Sequence, residues 1–224
     1  MEQSIYSRYC GTKESDSDRT GMTVAMKGPR MIIATTTDRG TDEDCETAGR
    51  VARAMTDNFL RRPSVDEKPI FTLATMANND LCMMSLNDER PPLCDAAFIF
   101  VDRNRARFLI SGSSAAYHFE GGKLAHRSDP TDADIIGSGP RYRPRIEPDF
   151  ELEQTENAFL AASASLAKAV SDEALEESLR ASSTPEEWME RLKELVGPDV
   201  QFCAITVFPP MAKHSRLKGL FTRS

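Results

Sequence analysis

The stretch Phe108-Leu109-Ile110-Ser111-Gly112-Ser113-Ser114-Ala115-Ala116-Tyr117, continued by His118-Phe119-Glu120-Gly121-Gly122-Lys123-Leu124, carries two apolar runs, a turn of small residues and a glycine pair. The pair lies between residues 115–119 and 123–126, and a two-residue hairpin turn needs positive φ, which glycine adopts readily. It predicts a hairpin. The run at 106–110 has a mate upstream: residues 96–101 are continuously apolar, and Asp102-Arg103-Asn104-Arg105 turns one run into the other. Successive strands joined by short turns read as an antiparallel meander.

Upstream of the meander, residues 22–26 and 31–37 flank the turn-forming Lys27-Gly28-Pro29-Arg30, which predicts another hairpin. The period then becomes helical. A helix is expected from Asp42 to Arg61, with Thr41 as its N-cap and Asp42, Glu43 and Asp44 in a first turn where the helix dipole favours negative charge. Val51, Ala54, Met55, Asn58 and Phe59 form its inner side, and Pro63 ends it. A second helix over residues 70–86 places Phe71, Leu73, Ala74, Ala77, Leu81 and Met84 on its stripe, and Met76, Met83 and Met84 read as helix packing.

Downstream, the polar residues 128–157 read as a long surface connection with little regular structure, and residues 158–163 as a buried strand. Two helices follow. The second is marked by Thr184-Pro185-Glu186-Glu187, with Thr184 as cap, Pro185 at the first helical position and Glu187 closing a capping box. Trp188, Leu192 and Leu195 make its buried stripe, Gly197-Pro198 stops it, and residues 202–208 form the last strand. The first twenty residues read as irregular. Strands and helices come in blocks, so the expected class is α+β with mainly antiparallel sheets, as one domain over residues 1–210.

The chain has 28 Lys plus Arg against 35 Asp plus Glu in 224 residues, a net charge of −7. That balance argues against a nucleic-acid partner, which requires a concentrated basic face. Residues 211–224 are the exception: Lys213, Arg216, Lys218 and Arg223 stand there with no acid, and Leu217, Leu220 and Phe221 recur at near-helical spacing. This basic C-terminal tail is either disordered or a docking handle for an acidic surface. No apolar run approaches the roughly 20 residues that span a bilayer. Five scattered cysteines without a C-x-x-C pair suit neither a zinc site nor a disulfide framework. A cytoplasmic protein in a reducing compartment is the expectation.

Several strings, in order, resemble the metal-dependent serine/threonine phosphatases of the protein phosphatase 2C type (PPM-like). Phe108 through Tyr117 followed by Gly122-Lys123-Leu124 is similar to that family's strand into Gly-Asp-Ser-Arg, aromatic strand and Gly-Lys-Leu hairpin. Residues 159–166 followed by Ser171-Asp172-Glu173 resemble its apolar strand, Ser-Asp-Gly-Leu turn and following helix. Ala204-Ile205-Thr206-Val207 resembles its closing Asp-Asn-Ile-Thr-Val strand, Asp16-Ser17-Asp18-Arg19 its Asn-Glu-Asp segment, and Thr37-Asp38-Arg39-Gly40 its Ala-Asp-Gly-Met-Gly-Gly.

The resemblance implies an antiparallel β-sandwich flanked by helices on both faces. It also implies two manganese or magnesium ions at one end, activating a water that attacks phosphoserine or phosphothreonine. Two cations a few ångströms apart need several converging carboxylates to offset their repulsion and displace hydration water. Asp18 and Asp38 stand at the first two acidic positions, with Arg39 replacing a glycine whose carbonyl approaches a metal. Ala164 stands at the third, and Cys203-Ala204 replace the Asp-Asn pair, with Asp199 nearby. Ser113 and Ala115 replace the aspartate and arginine of Gly-Asp-Ser-Arg. Arg8 or Lys13 stands where the family holds substrate phosphate.

Plainer roles compete with each of these. Asp38 is also an ordinary turn aspartate, Asp18 part of a solvated acidic stretch, and Asp42, Glu43, Asp44 and Glu46 a helix-start cluster. Ser113-Ser114 has no histidine or lysine placed to activate a nucleophile, Cys203 reads as a small buried residue, and His118 as packed or surface-facing. Arg141, Arg143 and Arg145 read as a solvated loop or a phosphate contact. Two functions remain in view. One is a catalytically impaired, phosphatase-like regulatory module (a pseudophosphatase) that binds a phosphorylated or acidic protein partner without a metal. The other is an active divergent phosphatase that keeps manganese or magnesium at Asp38 and recruits Asp18, Asp199 or the acids at 42–46.

Overall fold

A computed structural model describes residues 5–11, 21–38, 45–84, 92–131, 133–153 and 156–209. Two antiparallel sheets face each other. In the first, β1 (Tyr6–Cys10), β11 (Cys203–Val207), β10 (Asn157–Ala162), β6 (Ala115–Glu120) and β7 (Lys123–Arg127) lie side by side in that order. In the second the order is β2 (Thr23–Lys27), β3 (Arg30–Asp38), β4 (Cys94–Asp102), β5 (Arg105–Ser111) and β8 (Arg145–Ile146), and β9 (Phe150–Glu151) also pairs with β5. The meander at 94–127 starts in one sheet and crosses to the other after β5. Gly121 and Gly122 both have positive φ, 55° and 78°, as their hairpin requires.

Three apolar layers explain why the strands are continuously hydrophobic rather than alternating. Met31, Ile33, Ala97, Ile99, Phe159 and Ile205 point between the sheets. On the far side of the second sheet, Ile32, Ala34, Phe98 and Phe100 meet Val51, Met55 and Phe59 of α1 (Cys45–Arg61) and Ile70 and Ala74 of α2 (Glu67–Met84). On the far side of the first, Tyr117, Phe119 and Leu160 meet Leu166 of α3 (Ala164–Ala169), Leu175 of α4 (Asp172–Arg180) and Trp188 of α5 (Pro185–Val196). The central strands β4, β5, β6, β10 and β11 therefore bury both faces, so neither set of their alternate residues has to be polar.

Local signals fix the ends of α5. Thr184 Oγ1 accepts from Glu187 N–H at 3.1 Å, and Glu187 Oε2 accepts in return from Ser183 N–H at 2.7 Å, one residue earlier than a standard capping box. Gly197, at φ 79°, closes it.

Several expectations are corrected. The first twenty residues are not wholly irregular: β1 is an edge strand bonded to β11, and a half-exposed edge needs no apolar pattern. Three helices, not two, separate β10 from β11. α2 begins at Glu67 with Pro69 in its first turn, where no backbone donor is required. Its buried face is Ile70, Ala74, Ala77, Asn78 and Leu81, whereas Phe71, Met76 (48% exposed), Met83 (67%) and Met84 face outward. Leu195 is likewise exposed, and Met189 takes its place in the α5 stripe. The connection at 128–157 carries β8 and β9 and is pinned to α2, since Asn78 Oδ1 accepts from Gly137 N–H at 2.9 Å and its Nδ2 donates to Gly139 O at 3.0 Å. Thr41, Asp42, Glu43, Asp44 and residues 211–224 lie outside the described residues, as does the side chain of Glu46.

The same connection carries an ionic clasp. Asp149 accepts from Arg107 Nη2 at 2.6 Å and from Arg105 Nη2 and Nε at 2.6 and 2.9 Å. The Arg105 hydrogen bonds, chiefly, hold the Asp149 carboxyl below its ordinary value. Because the Arg107 side chain is only 8% exposed, removing Asp149 leaves a desolvated cation with the more distant Glu67 carboxylate, at 3.9 Å, beside it. Asp149→Ala is expected to cost about 2 kcal/mol, read as an earlier denaturant midpoint; an unchanged midpoint would mean that the clasp contributes no stability.

Candidate functional site

One end of the sandwich gathers the candidate residues, and strand register shows why. Asp38, the last residue of β3, is opposite Cys94, the first of β4. Ala162, closing β10, is opposite both Ala115 at the start of β6 and Ala204 in β11. Cys10, closing β1, is opposite Cys203. Thr35 Oγ1 donates to Ala161 O at 3.2 Å across the gap between the sheets, so both sheets end together. The three chain segments leaving β1, β3 and α2 there contain residues 12–20, 39–44 and 85–91, which are not described; Asp18 is among them, and of Asp38 the backbone alone is described.

The turn Ser111 to Ser114 forms the floor of this end. Gly112 has φ 66°, and the Asp95 carboxylate lies so close over it that a Cβ there would meet Oδ1 at 1.5 Å. Only glycine fits. Asp95 Oδ1 also accepts from Ser113 N–H at 3.4 Å. Ser111 Oγ donates to Asp134 O at 2.7 Å and accepts from Ile136 N–H at 2.9 Å, so it serves the backbone. Ser114 Oγ is buried without a hydrogen-bond partner among the described residues.

Ala164 and Cys203, at the third and fourth positions that the resemblance assigns to ligands, meet at the β10–β11 end. Ser163 N–H donates to Cys203 O at 2.8 Å, and Ser163 Oγ accepts from Cys203 N–H at 3.0 Å, which extends the ladder by one pair. The Ser163 side chain is thereby drawn into the sheet and makes no cap bond to α3, whose first residue is Ala164. Cys203 is buried in the layer between the sheets, and its Sγ lies 2.6 Å from Cys10 Sγ. Sequence reasoning missed this contact, since the two residues are 193 positions apart and only the edge pairing of β1 brings them together.

Arg8 lies on the same side of β1 as Cys10, exposed, with Nη1 donating to Met22 O at 3.2 Å and its guanidinium 5.6 Å from the Tyr6 ring centre. Asp199 is exposed in the turn before β11. Arg145 is tied to the carbonyls of Asp129 (2.9 Å) and Thr131 and so anchors its own connection. A depression of about 380 Å³ lined by Val65, Asp66, Asp102, Arg103 and Arg105 lies at the opposite end of the sandwich and includes none of the candidates.

Of the positions where the resemblance places cation ligands, Ala164 and Cys203 carry no carboxylate, and Asp18 and the Asp38 side chain lie outside the described residues. Among the described residues, no three of His, Cys, Asp or Glu converge in a way that could hold a metal ion. Ala164 offers a methyl group, and the Cys203 thiol is turned into the core against a second thiol. No described helix is long and apolar enough to cross a membrane.

No family model matches the sequence, and no curated protein matches it significantly. Solved structures do match. A bacterial serine phosphatase carrying an arginine-to-glutamate substitution superposes with TM-score 0.75 at 13% identity, over 91% of this chain and 97% of that one. The S. agalactiae serine/threonine phosphatase gives TM-score 0.73 at 10% identity, over 91% and 98%. The catalytic domain of the serine/threonine phosphatase PstP, solved with two manganese ions, gives 0.71 at 16%, over 91% and 96%. The chain thus has the fold of PPM-type serine/threonine phosphatases over nearly its whole length.

Proposed function

We propose that this chain is a catalytically impaired, phosphatase-like protein of the cytoplasm, a regulatory module that binds a phosphorylated or acidic protein segment and does not hydrolyse it. The observation that carries this reading is the environment of Cys203. At the position where the resemblance calls for a metal-binding carboxylate, a thiol is packed between the sheets against Cys10. Ala164 supports it, since no rotamer of a methyl group coordinates a cation. A site lacking two of the carboxylates that the resemblance calls for presents less negative charge to an anionic ligand, and Arg8 supplies an exposed cation beside it.

The direct test is phosphate release from a phosphoserine peptide by the full chain at millimolar manganese. The expected result is no release above the buffer rate. Manganese-dependent turnover that Asp38→Ala abolishes would overturn the proposal in favour of an active divergent enzyme.

A further inference from the structure

We propose that Cys10 and Cys203 form a reversible disulfide that staples the edge strand β1 to β11 at the candidate-site end of the sandwich. Three observations converge on the pair. The sulfurs lie 2.6 Å apart, well inside the distance at which two non-bonded sulfurs rest. The two residues are directly opposite in an antiparallel ladder. Their place in that ladder is also the favourable one: Gly11 N–H donates to Phe202 O at 3.0 Å and Phe208 N–H to Ile5 O at 2.8 Å, which makes Gly11↔Phe202 and Ile5↔Phe208 the hydrogen-bonded pairs. Cys10↔Cys203 then falls on a non-hydrogen-bonded position, where the Cα atoms are about 4.5 Å apart and side chains come closest. That spacing lies within the range a disulfide spans without backbone movement.

Accessibility gives the reaction a direction. Cys203 is buried and Cys10 is half-exposed, so Cys10 is the sulfur an oxidant reaches. With glutathione disulfide, the Cys10 thiolate attacks one sulfur, a mixed disulfide forms and one glutathione thiolate leaves. The Cys203 thiolate then attacks Cys10 Sγ, and the second glutathione leaves. Two protein thiols are oxidised, one glutathione disulfide is reduced to two glutathiones, and the two protons pass to the departing thiolates. The link closes a loop across nearly the whole chain, which restricts the unfolded state strongly. In the native state it secures a strand whose ladder bonds, among the described residues, run to β11 alone.

The experiment equilibrates the full-length protein in glutathione buffers from reducing to oxidising, then counts thiols and maps non-reduced peptides. The expected result is loss of two of the five thiols, a peptide joining Cys10 to Cys203, and a thermal midpoint several degrees higher in the oxidised form. That rise is expected to vanish in Cys10→Ser. Retention of all thiols at the most oxidising poise would overturn the proposal. So would their loss only as glutathione adducts, or as links that do not join these two residues. The map on the unsubstituted protein keeps the test decisive even if the variant folds poorly.

Discussion

Replacing Trp188 with alanine is expected to cost about 4 kcal/mol, the largest single effect in the helical layer on the first sheet. The side chain is fully buried, meets Phe119 edge-on with ring centres 5.4 Å apart, and lies 5.9 Å from Phe208. Its indole Nε1–H donates to Ser178 Oγ at 3.0 Å, which joins α5 to α4 through a buried polar contact. The substitution therefore removes three things together: core volume, an aromatic pair and a satisfied donor. For a chain of this length, about 4 kcal/mol corresponds to a melting midpoint lower by roughly 10 °C. Trp188→Phe keeps most of the volume and is expected to cost less than half as much. A shift of only one or two degrees in the alanine variant would mean that α4 and α5 are not docked on β6 and β10 as described.

Acidification from pH 7 to pH 4 is expected to cost about 3 kcal/mol through His118 alone. The ring is fully buried between the sheets, stacked on Phe159 and Phe150 at 4.8 and 5.1 Å, and its Nε2 lies 2.7 Å from Asn157 Oδ1. With Nε2–H as the donor in that bond, Nδ1 is a buried acceptor with no hydrogen-bond partner among the described residues. A second proton would sit there without an acceptor. Burial, chiefly, lowers the His118 pKa to about 4, with a further push from His126, and burial also lowers that of His126. A histidine depressed in the folded state binds its proton more weakly there than in the unfolded chain. Its contribution is then fully present above the ordinary value near 6.5 and is lost as the pH falls from there toward 4. At about 1.4 kcal/mol per pH unit the loss reaches about 3 kcal/mol. Denaturant unfolding between pH 7 and 4 measures it, and His118→Gln is expected to flatten most of that slope; an undiminished slope in the variant would assign the acid sensitivity elsewhere. The Asp149 clasp weakens only at lower pH, because its carboxyl is held below the ordinary value.

What could be read in the sequence was mostly short-range. Gly121-Gly122, Lys27-Gly28-Pro29-Arg30 and Thr184-Pro185-Glu186-Glu187 each carry their own conformational instruction, and each turn or cap is where it was expected. The covered sheet faces were also legible, in the unbroken apolar runs of β4 and β10. Features that depend on a distant partner were not. β1 is a strand because β11 offers it an edge, and Tyr6-Ser7-Arg8-Tyr9-Cys10 carries no pattern of its own. The α2 methionines looked like core because methionine suits a core, but the face that packs is set by how α2 meets α1 and the 137–139 backbone. At the candidate site, Ala164 and Cys203 are readable one position at a time as departures from the ligand pattern that the resemblance implies. The contact between Cys203 and Cys10 is not, because it exists only once the first and last strands pair.

The proposed loss of cation binding at the candidate-site end of this phosphatase-like fold is open to titration calorimetry of the full chain with manganese. No saturable heat is expected up to millimolar manganese at pH 7.5. A saturable isotherm with two cations bound per chain, lost in Asp38→Ala, would contradict it.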